Sequence, residues 1–203
     1  MRILACILTI TLILYFNSSG QSGKKKEDII IRSEKGEIHV RLDLRKAPVT
    51  SLNFLRYVDA NLFDSTCFYR VVRFDNQPKD SVMIDVIQGG LYDNEDKGFP
   101  PIMHETTEIT GLRHRNGTIS MARSIPGSAT SEFFICLGAQ PELDFLGKRN
   151  PDRQGFAAFG KVIKGMDVVR TIHHTNSSGQ YLERPVLITK IVRAGKQVHC
   201  LDR

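Results

Sequence analysis

Short apolar stretches follow one another along this chain without the intervening helices that a parallel sheet requires. Cys67–Val72, Val82–Gln88, Gly117–Arg123, Glu132–Leu137, Phe156–Ile163 and Val186–Ala194 are each of strand length, with Gly-, Pro- or Asn-containing connections such as Asp75–Ser81 and Phe145–Gln154 among them. Upstream, Ile29, Ile30 and Ile31 open a strand and Ser33-Glu34-Lys35-Gly36 has the composition of a hairpin turn. The next residues alternate, with Ile38, Val40 and Leu42 on one side and Glu37, His39 and Arg41 on the other. That period of two is the pattern of a half-buried antiparallel strand. Helical spacing occurs in two places. Pro48 opens the first, with Leu52, Leu55, Val58 and Leu62 as its apolar face and Arg56 and Asp59 toward water; Met166–His173, after Gly165, is the second. Seven or eight strands with two helices and no βαβ rhythm predict a mainly β protein, a closed antiparallel barrel capped by helices.

The chain has 203 residues, 41% of them hydrophobic, which suits one domain with one core. The first twenty residues stand apart from it. Arg2 is their only charge, and Ile3 to Phe16 form an apolar run of fourteen residues, shorter than the roughly 20 a membrane span needs. Ser18-Ser19-Gly20 offers small residues for cleavage, so residues 1–20 read as a signal peptide, with an uncleaved anchor or a buried helix as the alternatives. Residues 21–27, with Lys24-Lys25-Lys26, read as a flexible lead-in, 28–196 as the domain and 197–203 as a tail. Export to the periplasm or the exterior is the expected destination, with no stable membrane insertion once the leader is removed. Cys67, Cys136 and Cys200 remain after the leader, too widely spaced for a disulfide framework or a CxxC site. Buried thiols are expected at Cys67 and Cys136, and a single bridge stays open.

Several chemistries lack their residues. No HExxH motif is present, since His104-Glu105 has no second histidine and His173-His174 point to opposite helix faces, so no metal site and no cofactor are expected. Gly127-Ser128-Ala129-Thr130-Ser131 does not make a GxSxG elbow, and there is no GxxxxGK[ST] loop. Arg113-His114-Arg115 is a small basic run without a recognisable nucleic-acid module, and the formal charge of +6 on a domain this size reads as solvated surface.

Six motifs in order carry a family character. Phe68-Tyr69-Arg70-Val71-Val72 precedes Ile87-Gln88-Gly89-Gly90; Gly117-Thr118-Ile119-Ser120-Met121-Ala122-Arg123 precedes Ser131-Glu132-Phe133-Phe134-Ile135; Leu143-Asp144 and Phe159-Gly160-Lys161-Val162 follow. Over residues 28–194 the chain resembles the cyclophilin-type peptidyl-prolyl cis-trans isomerases, with Arg123 after Met-Ala as in exported bacterial members. The resemblance implies an eight-stranded antiparallel barrel capped by two α-helices and a peptide groove on an outer face. It implies Arg70 as the catalytic residue and Gln88 as its support and a ligand of the substrate backbone. It also implies Phe134 as the floor of a proline pocket, Val86 and Leu143 as its walls, and the backbone of Arg123 as a pairing edge. Strict alternation places Phe68, Arg70 and Val72 on one strand face and Cys67, Tyr69 and Val71 on the other.

The chain departs from the family pattern at four positions. Glu132 stands where a glutamine is usual, Asp85 where an aromatic is, Glu142 at a common tryptophan and Phe156 at a frequent histidine. A carboxylate at 132 accepts hydrogen bonds but donates none, and pairing with Arg70 is one use for it. The implied activity is rotation of X–Pro bonds in exported polypeptides by a monomer. A barrel that binds proline-containing segments without turnover is the alternative, motivated by Glu132 and Asp85.

Overall fold

The computed structural model describes residues 26–195, without the side chains of residues 93–95. The leader, the C-terminal tail and Cys200 lie outside the described residues. In chain order the elements are β1 (Glu27–Ser33), β2 (Gly36–Leu42), α1 (Pro48–Asp59), β3 (Thr66–Val72), β4 (Val86–Gly90), α2 (Thr107–Thr110), β5 (Thr118–Met121), β6 (Phe133–Cys136), β7 (Ala157–Lys164), α3 (Met166–His173), β8 (Ser177–Ser178) and β9 (Tyr181–Arg193). All strand pairs are antiparallel, in the order β1-β2-β7-β5-β6-β4-β3-β9, and β1 pairs with β9 to close the barrel. Eight strands form the wall; the two-residue β8 is a ribbon folded onto β9. The two expected helices are present, and α2 adds a single further turn.

The strands turn alternate residues into the barrel and out of it. Inside lie Ile29 and Ile31, Ile38, Val40 and Leu42, Phe68 and Val71, Ile87, Ile119 and Met121, Phe133 and Ile135, and Ile188 and Ile191. Helix α1 plugs this interior with Phe54, whose ring lies 4.9 Å from Phe63, 5.4 Å from Phe133 and 5.3 Å from Phe159. The spacing expected to bury Leu52 is corrected here: Leu52 is 53% exposed, because the helix presents Phe54, Leu55 and Val58 to the barrel and Leu52 to solvent. Glu105, distant in sequence and buried, accepts from the Val49 and Thr50 amides at 3.1 and 2.8 Å and so caps the positive end of α1. Helix α3 starts at Gly165 with φ 95°, where a Cβ would lie 2.3 Å from the Glu37 carbonyl oxygen; only glycine lets the chain pass β2 there.

Boundaries differ modestly from those read by periodicity. β1 begins at Glu27, one residue inside the expected lead-in, and residues 82–85 approach β4 as irregular chain rather than as strand. Cys136 is a buried free thiol whose pKa burial raises, and Cys67 is half-buried.

Candidate functional site

Outside the barrel a second, smaller apolar cluster covers the face of β3, β4 and β6. Val72, Ile84, Val86, Phe134, Cys136 and Leu143 form it, with Ala122 and Phe156 packed against them. Register alone assembles a row that leads from a charge into it. Arg70 on β3 lies opposite Gln88 on β4, and Gln88 lies opposite Phe134 on β6, so three residues separated widely in sequence become lateral neighbours. These side chains border a cavity of about 390 Å³, within the size range of small-ligand sites. Arg70, Val86, Gln88, Arg123, Glu132, Phe134 and Leu143, all named from the sequence, line it together.

Alternation along β3 is not strict. The register shifts between Phe68 and Arg70, so Tyr69 sits in a bulge and lines the cavity beside Arg70. Phe68 and Val71 enter the main core, whereas Arg70 and Val72 face outward. The expected shared face of Phe68 with Arg70 and Val72 is therefore corrected: one extra residue in the strand flips the phase.

The bulge makes a hydrogen-bond relay possible. Arg70 Nη1 donates to Gln88 Oε1 at 2.8 Å, Gln88 Nε2 donates to the Tyr69 hydroxyl at 2.6 Å, and that hydroxyl donates to Glu132 Oε2 at 2.6 Å. Glu132 Oε1 accepts from the Tyr92 amide at 3.0 Å and the Ser131 hydroxyl at 3.2 Å. Burial and the Glu132 charge both push the Tyr69 hydroxyl pKa far up, so it is a proton donor at every working pH. The direct pairing of Glu132 with Arg70 does not form; Arg70 donates through Nε and Nη2 to Gln180 Oε1, which the β8–β9 hairpin supplies. Gly90 opens the space for the acid, since a Cβ there would lie 2.2 Å from Glu132 Oε1.

The second departure also resolves in space. Asp85 turns out of the groove, with a carboxylate oxygen 2.6 Å from His173 Nε2, and Ile84 takes the place at the apolar wall. Asp85 stays out of the cavity, and Glu132, which lines it, is taken up by the Tyr69 hydroxyl and the Tyr92 amide. Arg123 has two roles to separate. Its side chain is 1% exposed, bonded to the Asp152 carboxylate at 2.7 and 2.8 Å and to the Gly155 carbonyl at 2.9 Å. Its N–H and C=O enter none of the hydrogen bonds among the described residues and stay available at the groove edge. Tyr69, Ile84, Arg149 and Gln180 were not legible in sequence. They arrive through a bulge, an irregular loop and two distant segments, none of which leaves a periodic signal.

Behind the floor lies a buried polar set. His114 Nδ1 is 2.7 Å from Asp144 Oδ1, its Nε2 is 2.9 Å from the Ser120 hydroxyl, and its ring stacks on Phe134 at 5.9 Å. Ser120 is 0% exposed, so no substrate reaches its oxygen, and this serine–histidine–aspartate set anchors the floor rather than attacking anything.

Residues 28–196 match the family model described as cyclophilin type peptidyl-prolyl cis-trans isomerase/CLD. The chain is a cyclophilin-type peptidyl-prolyl cis-trans isomerase. Among similar proteins, peptidyl-prolyl cis-trans isomerase A of Dickeya dadantii is 35% identical over 190 residues, 91% of each chain. An Acinetobacter baylyi peptidyl-prolyl cis-trans isomerase is 37% identical, covering 80% of this chain and 81% of its own. Peptidyl-prolyl cis-trans isomerase B of Escherichia coli is 31% identical, over 77% of this chain and 92% of its own. The barrel matches that of a Cryptosporidium parvum cyclophilin type isomerase with a TM-score of 0.67 at 21% identity, over 85% of this cyclophilin and 99% of the other.

Proposed function

We propose that the cavity on the β3–β4–β6 face is where this cyclophilin turns X–Pro bonds, with Arg70 as the catalytic residue. Resonance gives the X–Pro amide a rotation barrier of about 18–20 kcal/mol, and crossing it makes or breaks no bond. The site therefore need only hold the twisted amide better than either planar form, at about 1.4 kcal/mol for each tenfold in rate. Twisting returns a lone pair to the prolyl nitrogen, and a donor aimed at it acts only in that state. Gln88 and Gln180 hold the Arg70 guanidinium by three of its five N–H groups, and the other two are left to donate. Ile84, Val86, Phe134, Leu143 and Phe156 line an apolar hollow for the proline ring, and the bare N–H and C=O of Arg123 pair with an extended peptide along one rim. A Cryptosporidium parvum relative of this fold was crystallised in the presence of the dipeptide Ala-Pro, in keeping with a proline-containing substrate. The lining is complete within one chain, in keeping with a monomer as the working unit.

The observation that carries this reading is the Arg70–Gln88–Phe134 row set beside the apolar hollow. NMR exchange measurements on a proline peptide test it: Arg70→Ala should lose on the order of 10²-fold in catalysed exchange while circular dichroism stays unchanged. Near-normal exchange in that variant removes Arg70 from the mechanism. The leader-like residues 1–20 support exported proteins as the substrates. Expression in a bacterium should yield a soluble chain beginning at Gln21 outside the cytoplasm, as read by mass spectrometry; a full-length cytoplasmic product contradicts export.

A further inference from the structure

Three guanidiniums line the groove, those of Arg70, Arg123 and Arg149, and one of them is neutralised where it stands: Arg123 has Asp152 at 2.7 Å. Away from the groove, Arg73 has Asp75 at 3.3 Å and Arg113 has Asp144 at 3.8 Å. Among the described residues no carboxylate lies within 4.0 Å of Arg70 or of Arg149, and these two line the same cavity. Arg149 Nη1 donates to the Val82 carbonyl at 2.7 Å and to Gln77 Oε1 at 3.2 Å, both neutral. Its Nε and Nη2 hydrogens make no hydrogen bond among the described residues. Partial burial and the charge of Arg70 lower the Arg149 pKa, the expected consequence of two like charges sharing a partly dry space. Glu132, the acid among the lining residues, is taken up by Tyr69 and Tyr92.

Position says which part of a substrate meets this charge. Arg149 belongs to the segment that follows Leu143, and it is bonded to the segment that ends in Ile84; both residues wall the apolar hollow. A peptide paired along Arg123 with its proline in the hollow has that rim beside the residue flanking the proline. We propose that Arg149 forms an anion subsite there, so that this isomerase prefers X–Pro segments with an acidic side chain next to the proline. The acid accepts from Nε–H and Nη2–H in the planar two-point geometry that guanidinium and carboxylate share, and it offsets the mutual repulsion of Arg149 and Arg70.

This subsite rests on the isomerase reading of the groove, and one set of measurements separates the two. Catalysed exchange is measured by NMR with the full chain at low and high salt, on short alanine peptides around one proline. Glutamate or lysine replaces alanine just before or just after that proline. One glutamate peptide should show kcat/KM about tenfold above the alanine peptide at low salt, a difference of about 1.4 kcal/mol that shrinks as salt screens it. Arg149→Gln should bring that ratio to about one, and Arg149→Glu should pass the preference to the lysine peptide at the same position. Equal kcat/KM for glutamate and alanine peptides overturns the subsite, as does a glutamate preference that Arg149→Gln leaves intact. A proportional loss on all peptides in Arg149→Gln overturns it too, leaving Arg149 as a tie between two loops. Absence of turnover on the alanine peptide refutes instead the isomerase reading beneath it.

Discussion

At residue 132 the choice between glutamate and glutamine is decided by what faces the two side-chain oxygens. Oε2 meets the Tyr69 hydroxyl and Oε1 meets the Tyr92 N–H and the Ser131 hydroxyl, all donors, in a buried place. A carboxylate accepts on both sides; an amide accepts on one. In Glu132→Gln the NH2 group faces the Tyr92 N–H or the Tyr69 hydroxyl. In the second arrangement Tyr69 turns its proton toward Gln88, and the Gln88 amide then sets NH2 against the donor-only Arg70. Glu132→Gln should lower kcat about tenfold with a smaller change in KM, and Tyr69→Phe should do the same. Because both act through one relay, the double variant should lose little more than either single one. Full additivity in steady-state kinetics would show that the two residues act independently.

At the scale of elements, the groove depends on how the segment 144–155 is tied down. The Arg123 guanidinium, 1% exposed, is bonded to both Asp152 oxygens and lies 5.4 Å from the Phe156 ring centroid. Those hydrogen bonds hold the Asp152 carboxyl at about 2, below the ordinary carboxylate range. Removing the acid strands a buried cation. Asp152→Ala should cost about 2–3 kcal/mol in urea unfolding, well above the fraction of a kcal/mol expected of a surface ion pair. It should also raise KM, since the same segment carries Arg149 to the cavity and leads directly into Phe156. A stability change under about 0.5 kcal/mol would mean that the segment holds its place without the pair.

For the whole molecule, a buried histidine, His114, and a half-buried one, His104, couple folding to pH. Burial lowers the pKa of His114 despite its bond to Asp144, and lowers that of His104 despite its contact with the Gln154 carbonyl. Below the ordinary imidazole value of about 6.5 the unfolded chain binds protons that the folded chain refuses, so stability rises with pH in that window. The contribution is complete above about pH 6.5 and is lost as the pH falls toward the folded-state values. Urea unfolding from about pH 7.5 to about pH 5.5 should show falling stability, by at most about 1.4 kcal/mol per pH unit for each imidazole. His114→Asn should flatten the slope; an unchanged slope assigns the effect elsewhere.

The seven site residues were named from motifs that resemble a family's, and they meet at one cavity. Local pattern was enough for the strands and for the two capping helices, because a barrel wall needs alternation. The phase of that alternation was not local. The β3 bulge that brings Tyr69 beside Arg70 is a property of pairing with β4 and β9 at once. The substitution of Ile84 for Asp85 at the wall follows the path of an irregular loop, and Asp85 finds its partner on α3. Gln180 and Arg149 reach the groove from segments far along the chain, placed by closure of the barrel and by loop ties. Which residues share a strand face is written in short-range periodicity; which strands meet, in what register, and what their loops carry to the groove depends on long-range packing.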